Sequence, residues 1–141
     1  PGVTVEVRGA RARAFIPGPV SDVPPLVRKL QISGTELPQD EPGAVDPDLP
    51  AILIDRGLDM STGKAAAQVG HASMLLAARQ PLDWVRDWAA RDFALTVREV
   101  DADTFARHAA HPTAVHVRDA GYTEVAPDSL TVFAIPGRDL H

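Results

Sequence analysis

The chain contains no cysteine, which excludes disulfide scaffolds, thiolate zinc sites and cysteine nucleophiles together. Aromatic residues are scarce, at 5% of 141 residues, too few for the base-stacking surfaces that single-strand binders use. No apolar run approaches the roughly 20 residues of a bilayer span, and no signal-peptide pattern opens the chain. A cytoplasmic protein with no membrane partner is therefore expected. Positive charge is also in short supply: 14 Lys and Arg stand against 19 Asp and Glu, a net charge of -5. That balance excludes a strongly basic nucleic-acid module but not a small local basic patch. The first residue is Pro1 rather than methionine, as in a piece trimmed from something longer. What remains, 45% apolar and 23% charged residues, is the composition and length of one ordinary globular domain.

Proline divides the chain near residue 50. Nine of the 13 prolines precede residue 51, and each removes a donor and fixes φ, so long helices are excluded there. Runs 3–8 and 11–16, joined at Gly9-Ala10, alternate apolar residues (Val3, Val5, then Ala12, Ala14, Ile16) and predict a β-hairpin. Arg11 and Arg13 share one of its faces. Run 26–32 reads equally as a helical turn or a strand. Residues 34–50, with five acids and several prolines, read as an extended arm. Beyond them, 51–54 (AILI) has the continuous apolar texture of a strand buried on both faces. A helix follows over 63–80, capped by Ser61 or Thr62 and stopped by Pro81, with Ala65, Val69, Ala72 and Leu76 on one stripe. A second helix is expected over 82–91, a strand over 93–100, and a helix over 101–110 with Asp101 as cap and Phe105 inward. A strand over 114–117, a turn over 119–129 and a strand over 130–135 complete the order, which points to an α/β sandwich on a mixed sheet.

Residues that break local rules point to chemistry. Lys64 lies in the first turn of the long helix, where the dipole disfavours a cation by roughly 0.3–1 kcal/mol; such a violation marks a candidate functional position. With the helix-terminal N–H groups from Gly63 onward it makes a receptor for an anion or a carbonyl. Gln68 and His71 follow on the same stripe. The alternative is a solvated Lys64, an exposed Gln68 and a half-buried His71. Thr62-Gly63-Lys64 after a strand resembles a phosphate-binding loop, but Gly57 is one residue too far and Ala65 replaces the magnesium-binding hydroxyl, so the motif fails twice and nucleotide hydrolysis is not expected. Segment 119–124 (DAGYTE) follows a strand end, where sites gather in open α/β sheets. Asp119 there is a candidate base or orienting group, with Thr123 as hydroxyl partner and Gly121 permitting a tight backbone; an Asx-turn is the structural alternative. His108, His111, His116 and Asp119 have some of the character of a zinc set, but Pro112 places His111 outside the helix. No serine-hydrolase elbow occurs.

Together, Met60–Ala72 (MSTGKAAAQVGHA), the DAGYTE loop and Ser129-Leu-Thr-Val resemble the peptidyl-tRNA hydrolase 2 family across residues 51–137, through its helix motif G-K-x-A-A-Q-x-x-H-A and its loop motif D-A-G-x-T-[QE]. The resemblance implies a three-layer α/β/α sandwich on a four-stranded mixed sheet in residues 51–141, with the hairpin and Pro-rich arm of 1–50 as an extension. It also implies a homodimer that hydrolyses the ester between a peptide and tRNA, with no metal or cofactor. Lys64 would polarise the carbonyl or stabilise the oxyanion. Asp119 with Thr123 would position or activate water, and His71 is the other candidate base. Thr62, Gly63, Gln68 and Ser129 would hold substrate or loop. Three departures change the rim: Asp55 replaces the family's usual arginine, Thr62 a lysine and Asp59 a frequent lysine, while Gly57 replaces the usual aspartate. Phosphate contacts carry much of nucleic-acid affinity, so Arg8, Arg11, Arg13, Arg28 and Lys29 are the candidates to restore it, or else act as solvated edge charges. A noncatalytic binding module of the same fold is the alternative function.

Overall fold

The computed structural model describes residues 2–28, 37–38 and 41–140. They fall into two compact units that divide between Gln31 and Ile32. The boundary expected at residue 50 thus lies within the second unit. Lys29 and the end of the 26–32 run lie outside the described residues, as do 34–36 and 39–40 of the expected arm.

The first unit carries a hairpin of β1 (Gly2–Val7) and β2 (Ala10–Phe15). Val3 pairs with Ala14, Val5 with Ala12 and Val7 with Ala10, so one face is apolar; Thr4 and Glu6 oppose Arg13 and Arg11 on the other. The turn is Arg8-Gly9, with φ of 52° and 83°, one residue earlier than expected. A two-residue turn that matches strand twist needs positive φ at both positions, and Gly9 takes the second without strain. Arg13 donates to Thr4 and lies 5.6 Å over the Phe15 ring. Both faces of the hairpin are exposed. A four-residue helix α1 (Pro25–Arg28) follows, settling the start of the ambiguous run as a helical turn.

The second unit is built on β3 (Pro50–Asp55), β4 (Thr96–Val100), β5 (Val115–Asp119) and β6 (Ser129–Pro136) in the order β4-β3-β6-β5. β3 runs parallel to β4, while β6 is antiparallel to both β3 and β5. The sheet is therefore mixed, as expected. Alternate residues of each strand face opposite sides. Ile52, Ile54, Val132, Ala134, Val115 and Val117 pack with Ala65, Ala72 and Leu76 of α2 (Thr62–Arg79) and Trp88 of α3 (Leu82–Ala89). Ala51, Leu53, Phe133 and Ile135 pack against Phe105 and Ala109 of α4 (Ala102–Ala109). Helices on both faces of one sheet make the three-layer α/β/α sandwich. Among the described residues no helix is long and apolar enough to cross a membrane.

Local chemistry explains the ends. Ser61 caps α2, its hydroxyl accepting from Lys64 N–H at 3.3 Å. Asp101 caps α4, accepting from the Thr104 N–H and hydroxyl, and those bonds hold its carboxyl below the ordinary value. The strand expected over 93–100 starts only at Thr96. Trp88 dictates this: its indole N–H donates to Ala94 O at 2.7 Å, its carbonyl accepts from Phe93 N, and its ring lies 5.2 Å from that of Phe93. Asp92 and Phe93 take positive φ in the turn so formed.

Phe133 is fully buried and rests edge-on against Phe105 at 5.0 Å. Phe133→Ala is expected to lower the unfolding free energy by about 3–5 kcal/mol. Val5→Ala, on the exposed hairpin, should change it by less than about 0.5 kcal/mol. Urea titration of both variants checks this, and equal losses would refute the assigned core.

Candidate active site

Asp55 ends β3, and the chain turns through a short 3-10 segment, Arg56–Leu58, into α2. The first turn of α2 is Thr62, Gly63 and Lys64. β5 is antiparallel to β6, which is antiparallel to β3, so β5 points the same way as β3. The loop after Asp119 therefore emerges at the same sheet edge as the start of α2.

Two loops that meet there bring the chemistry together. Lys64 Nζ lies 2.6 Å from Asp119 Oδ2 and donates to Thr123 Oγ1 at 3.1 Å. Gln68 Nε2 donates to the same Asp119 oxygen at 2.7 Å, and its Oε1 accepts from Thr131 Oγ1 at 2.9 Å. Asp119 Oδ1 accepts the Gly121 N–H at 2.8 Å. The two ionic side chains are only 8% and 11% exposed. The violation of the dipole rule at Lys64 is thus compensated by a carboxylate brought from 55 residues away. Two of the three ammonium protons are used among the described residues, which leaves one for a carbonyl or oxyanion. Burial pushes the Asp119 carboxyl up, but the Lys64 hydrogen bond and charge, the Gly121 N–H and Gln68 outweigh it and hold it below its ordinary value. Asp119 is a carboxylate at neutral pH.

The loop itself is tightly folded. Gly121 has φ of +78°, and a Cβ there would meet Pro127 backbone at 2.5 Å, so only glycine fits. Asp128 N–H donates to Asp119 O and Val125 N–H to Thr123 O, both at 2.7 Å. Ser129 pairs with Asp119 across the ladder and donates to Ala126 O; it anchors the end of the loop and does not reach the cluster.

Of the expected residues, Lys64, Gln68, Asp119 and Thr123 converge, with buried Gly63 beside them in the helix. His71 is exposed farther along α2, where it lines a shallow pocket of about 310 Å³ with Met74, Leu75, Val117 and Arg118. Thr62 accepts from Leu37 N–H. It opens onto a larger cavity of about 720 Å³ with Val69 and Val97, and onto a polar one of about 250 Å³ with Asp55, Asp59 and Glu99. That is the flank of α2 turned away from Lys64 and Gln68. His116 Nε2 donates to Ala109 O, His111 contacts Thr113, and among the described residues no group of three or more His, Asp or Glu could hold a metal ion.

Ser61 caps the helix, one of the two caps the sequence offers, and two participants were not singled out from sequence. Thr131 orients Gln68, and Glu124 accepts both the Ser61 N–H and hydroxyl at 2.8 Å. The hydroxyl of Ser129-Leu-Thr131 and the acid closing DAGYTE were the available signals. The helix terminus is consequently less open than expected: the Lys64 N–H goes to Ser61 and the Ser61 N–H to Glu124.

Because the Asp119 pKa is depressed in the folded state, its contribution to stability is complete above its unfolded value of about 3.9 and fades as pH falls through the lower folded value. Asp119→Asn should therefore show a shallower loss of stability below about pH 4 than wild type, followed by urea unfolding across pH. Parallel acid limbs would contradict the pairing.

The family model described as peptidyl-tRNA hydrolase PTH2 matches residues 50–139. No curated protein matches the chain.

Proposed function

From the premise that the chain belongs to the peptidyl-tRNA hydrolase PTH2 family, we propose that it cleaves the ester of peptidyl-tRNA with Lys64, Asp119 and Thr123 as its working groups and without a metal. The observation that carries this reading is the nearly buried Lys64–Asp119 pair, 2.6 Å apart, with the Thr123 hydroxyl on the same ammonium.

The chemistry follows from those positions. The third proton of Lys64 meets the ester carbonyl, and negative charge on that oxygen grows as water adds. A cation already fixed by Asp119 and Thr123 needs no reorganisation at that moment. Asp119 Oδ1 accepts only the Gly121 N–H among the described residues and so keeps a lone pair for water, with the Thr123 oxygen as second partner. Water positioned by Asp119 and Thr123 adds to the carbonyl carbon, the bond to the ribose oxygen breaks, one water proton ends on that oxygen, and the other is released as the new carboxylic acid ionises. Free tRNA and a peptide carboxylate result. The lowered pKa makes Asp119 better at positioning water than at removing its proton. Gln68, held by Thr131, keeps Asp119 aimed at Lys64. His71 lies outside this cluster; we assign it to contact with the substrate flank. Thr62 and Gly63 would shape the substrate approach, and Ser129 the loop end.

Residues 1–50 form an arm on this reading, the working unit is a homodimer, and the setting is the cytoplasm, where translation supplies the substrate. Arg8, Arg11, Arg13, Arg28 and Lys29 are the basic groups it would offer to phosphates. A second reading, a binding module without turnover, is favoured by Asp55 and Asp59 at the mouth of α2.

Lys64→Ala and Asp119→Asn should each slow release of tRNA from an N-blocked aminoacyl-tRNA by about 10²–10³-fold, with unchanged circular dichroism, and EDTA should leave the wild-type rate alone. Absence of turnover by folded wild-type protein would favour the binding module instead.

A further inference from the structure

Resting on the hydrolase reading, we propose that Glu124 is a positioning residue, one that completes the cap of α2 from across the fold and thereby holds Thr123 and Lys64 in register. A helix capped by serine is ordinarily closed by a glutamate three residues on, whose side chain returns to the cap N–H. In α2 that third position is Lys64, which cannot accept a hydrogen bond. Glu124, 63 residues away, takes over the task.

The geometry is that of a reciprocal box divided between two segments. Ser61 Oγ accepts the Lys64 N–H at 3.3 Å, while Glu124 Oε2 accepts the Ser61 N–H and Oε1 the Ser61 hydroxyl, each at 2.8 Å. Ser61 is 7% exposed, so these bonds are shielded. Glu124 also brings a negative charge to a helix start, where it is favoured, beside the cation that is not.

The consequence for the loop is a two-point attachment. Asp119 ties its beginning to Lys64 and Gln68, and Glu124 ties its middle to Ser61. Thr123 lies between these ties, next to Glu124. Glu124 holds φ of 62°, a conformation disfavoured for a side chain of its size, and the Ser61 bonds offset that strain. Without them the peptide after Thr123 relaxes, and the Thr123 hydroxyl leaves Lys64.

The test uses the full chain with Glu124→Ala and Glu124→Gln. The amide of glutamine keeps an acceptor for the Ser61 N–H and offers a donor to the Ser61 oxygen, so it preserves the box without the charge. Glu124→Ala is expected to lower kcat at least about tenfold, the scale of a small misplacement in a site, with KM changed less than about twofold. Glu124→Gln should restore kcat to within about threefold of wild type. If Glu124→Ala does not fold, Glu124→Asp, one methylene short of the bond, replaces it with the same expectation. Amide hydrogen exchange reads the latch without turnover: Ser61 and Lys64 should lose protection in the alanine or aspartate variant and keep it in the glutamine one. Full kcat in a folded alanine or aspartate variant, no rescue by glutamine, or unchanged exchange at Ser61 overturns the proposal. Lack of turnover in wild type overturns the hydrolase reading instead, and exchange at Ser61 still decides the latch.

Discussion

A cation in the first turn of a helix is a local error that only a carboxylate from elsewhere corrects, and the Lys64–Asp119 pair is that correction. Its two members are nearly buried, so neither has bulk water to fall back on, and removing one charge from such a pair typically costs about 3–5 kcal/mol. The start of α2 and the loop after β5 are therefore bound to fold together. Gly121 turning beneath Pro127, Thr131 holding Gln68 and the positive φ of Glu124 all serve this meeting.

The sheet makes the meeting possible. Only β6 separates β3 from β5, which sets those strands about 10 Å apart, and both end at the same edge. α2 begins at that edge and crosses toward β5, packing on Val115, Val117 and Val132. From there a lysine side chain spans the remaining gap. Arginine would carry its charge on a planar fork suited to bidentate contact. An ammonium suits this pocket better, because it must serve a carboxylate, a hydroxyl and a third acceptor in three directions.

Much of this was legible where the information is local. The run AILI showed a strand buried on both faces, and Ala51 and Ile52 are fully buried. The 3.6-residue stripe and Pro81 delimited α2, and Asp101 marked the start of α4. The anomaly at Lys64 and the loop after β5 were visible as two separate oddities. That they touch was carried by the family motif, since nothing local in either segment encodes a pairing across 55 residues. Glu124 stayed hidden for the same reason: a cap is sought three residues on, and this one arrives from 63 residues away. The late start of β4 follows from one tryptophan hydrogen bond, a tertiary contact that overrides the apolar alternation of residues 93, 95 and 97.

The surroundings of the pair impose a division of labour on the proposed reaction. Arg56, just past the end of β3, and Arg98, in the middle of β4, donate to main-chain carbonyls of Glu99, Val97 and Gly43. Their hydrogen-bonding capacity is partly taken by the protein's own backbone. Asp55, Asp59 and Glu99 line the adjoining polar cavity together with Arg56. Lys64 is neutralised by Asp119 at short range, so its field at a distant phosphate is that of a dipole and falls quickly. Its donor proton at contact distance is unaffected by that cancellation. A site of this kind can thus act on an ester delivered to it while attracting polyanions weakly from afar. On the hydrolase reading, long-range attraction of the nucleic acid falls to groups outside this cluster.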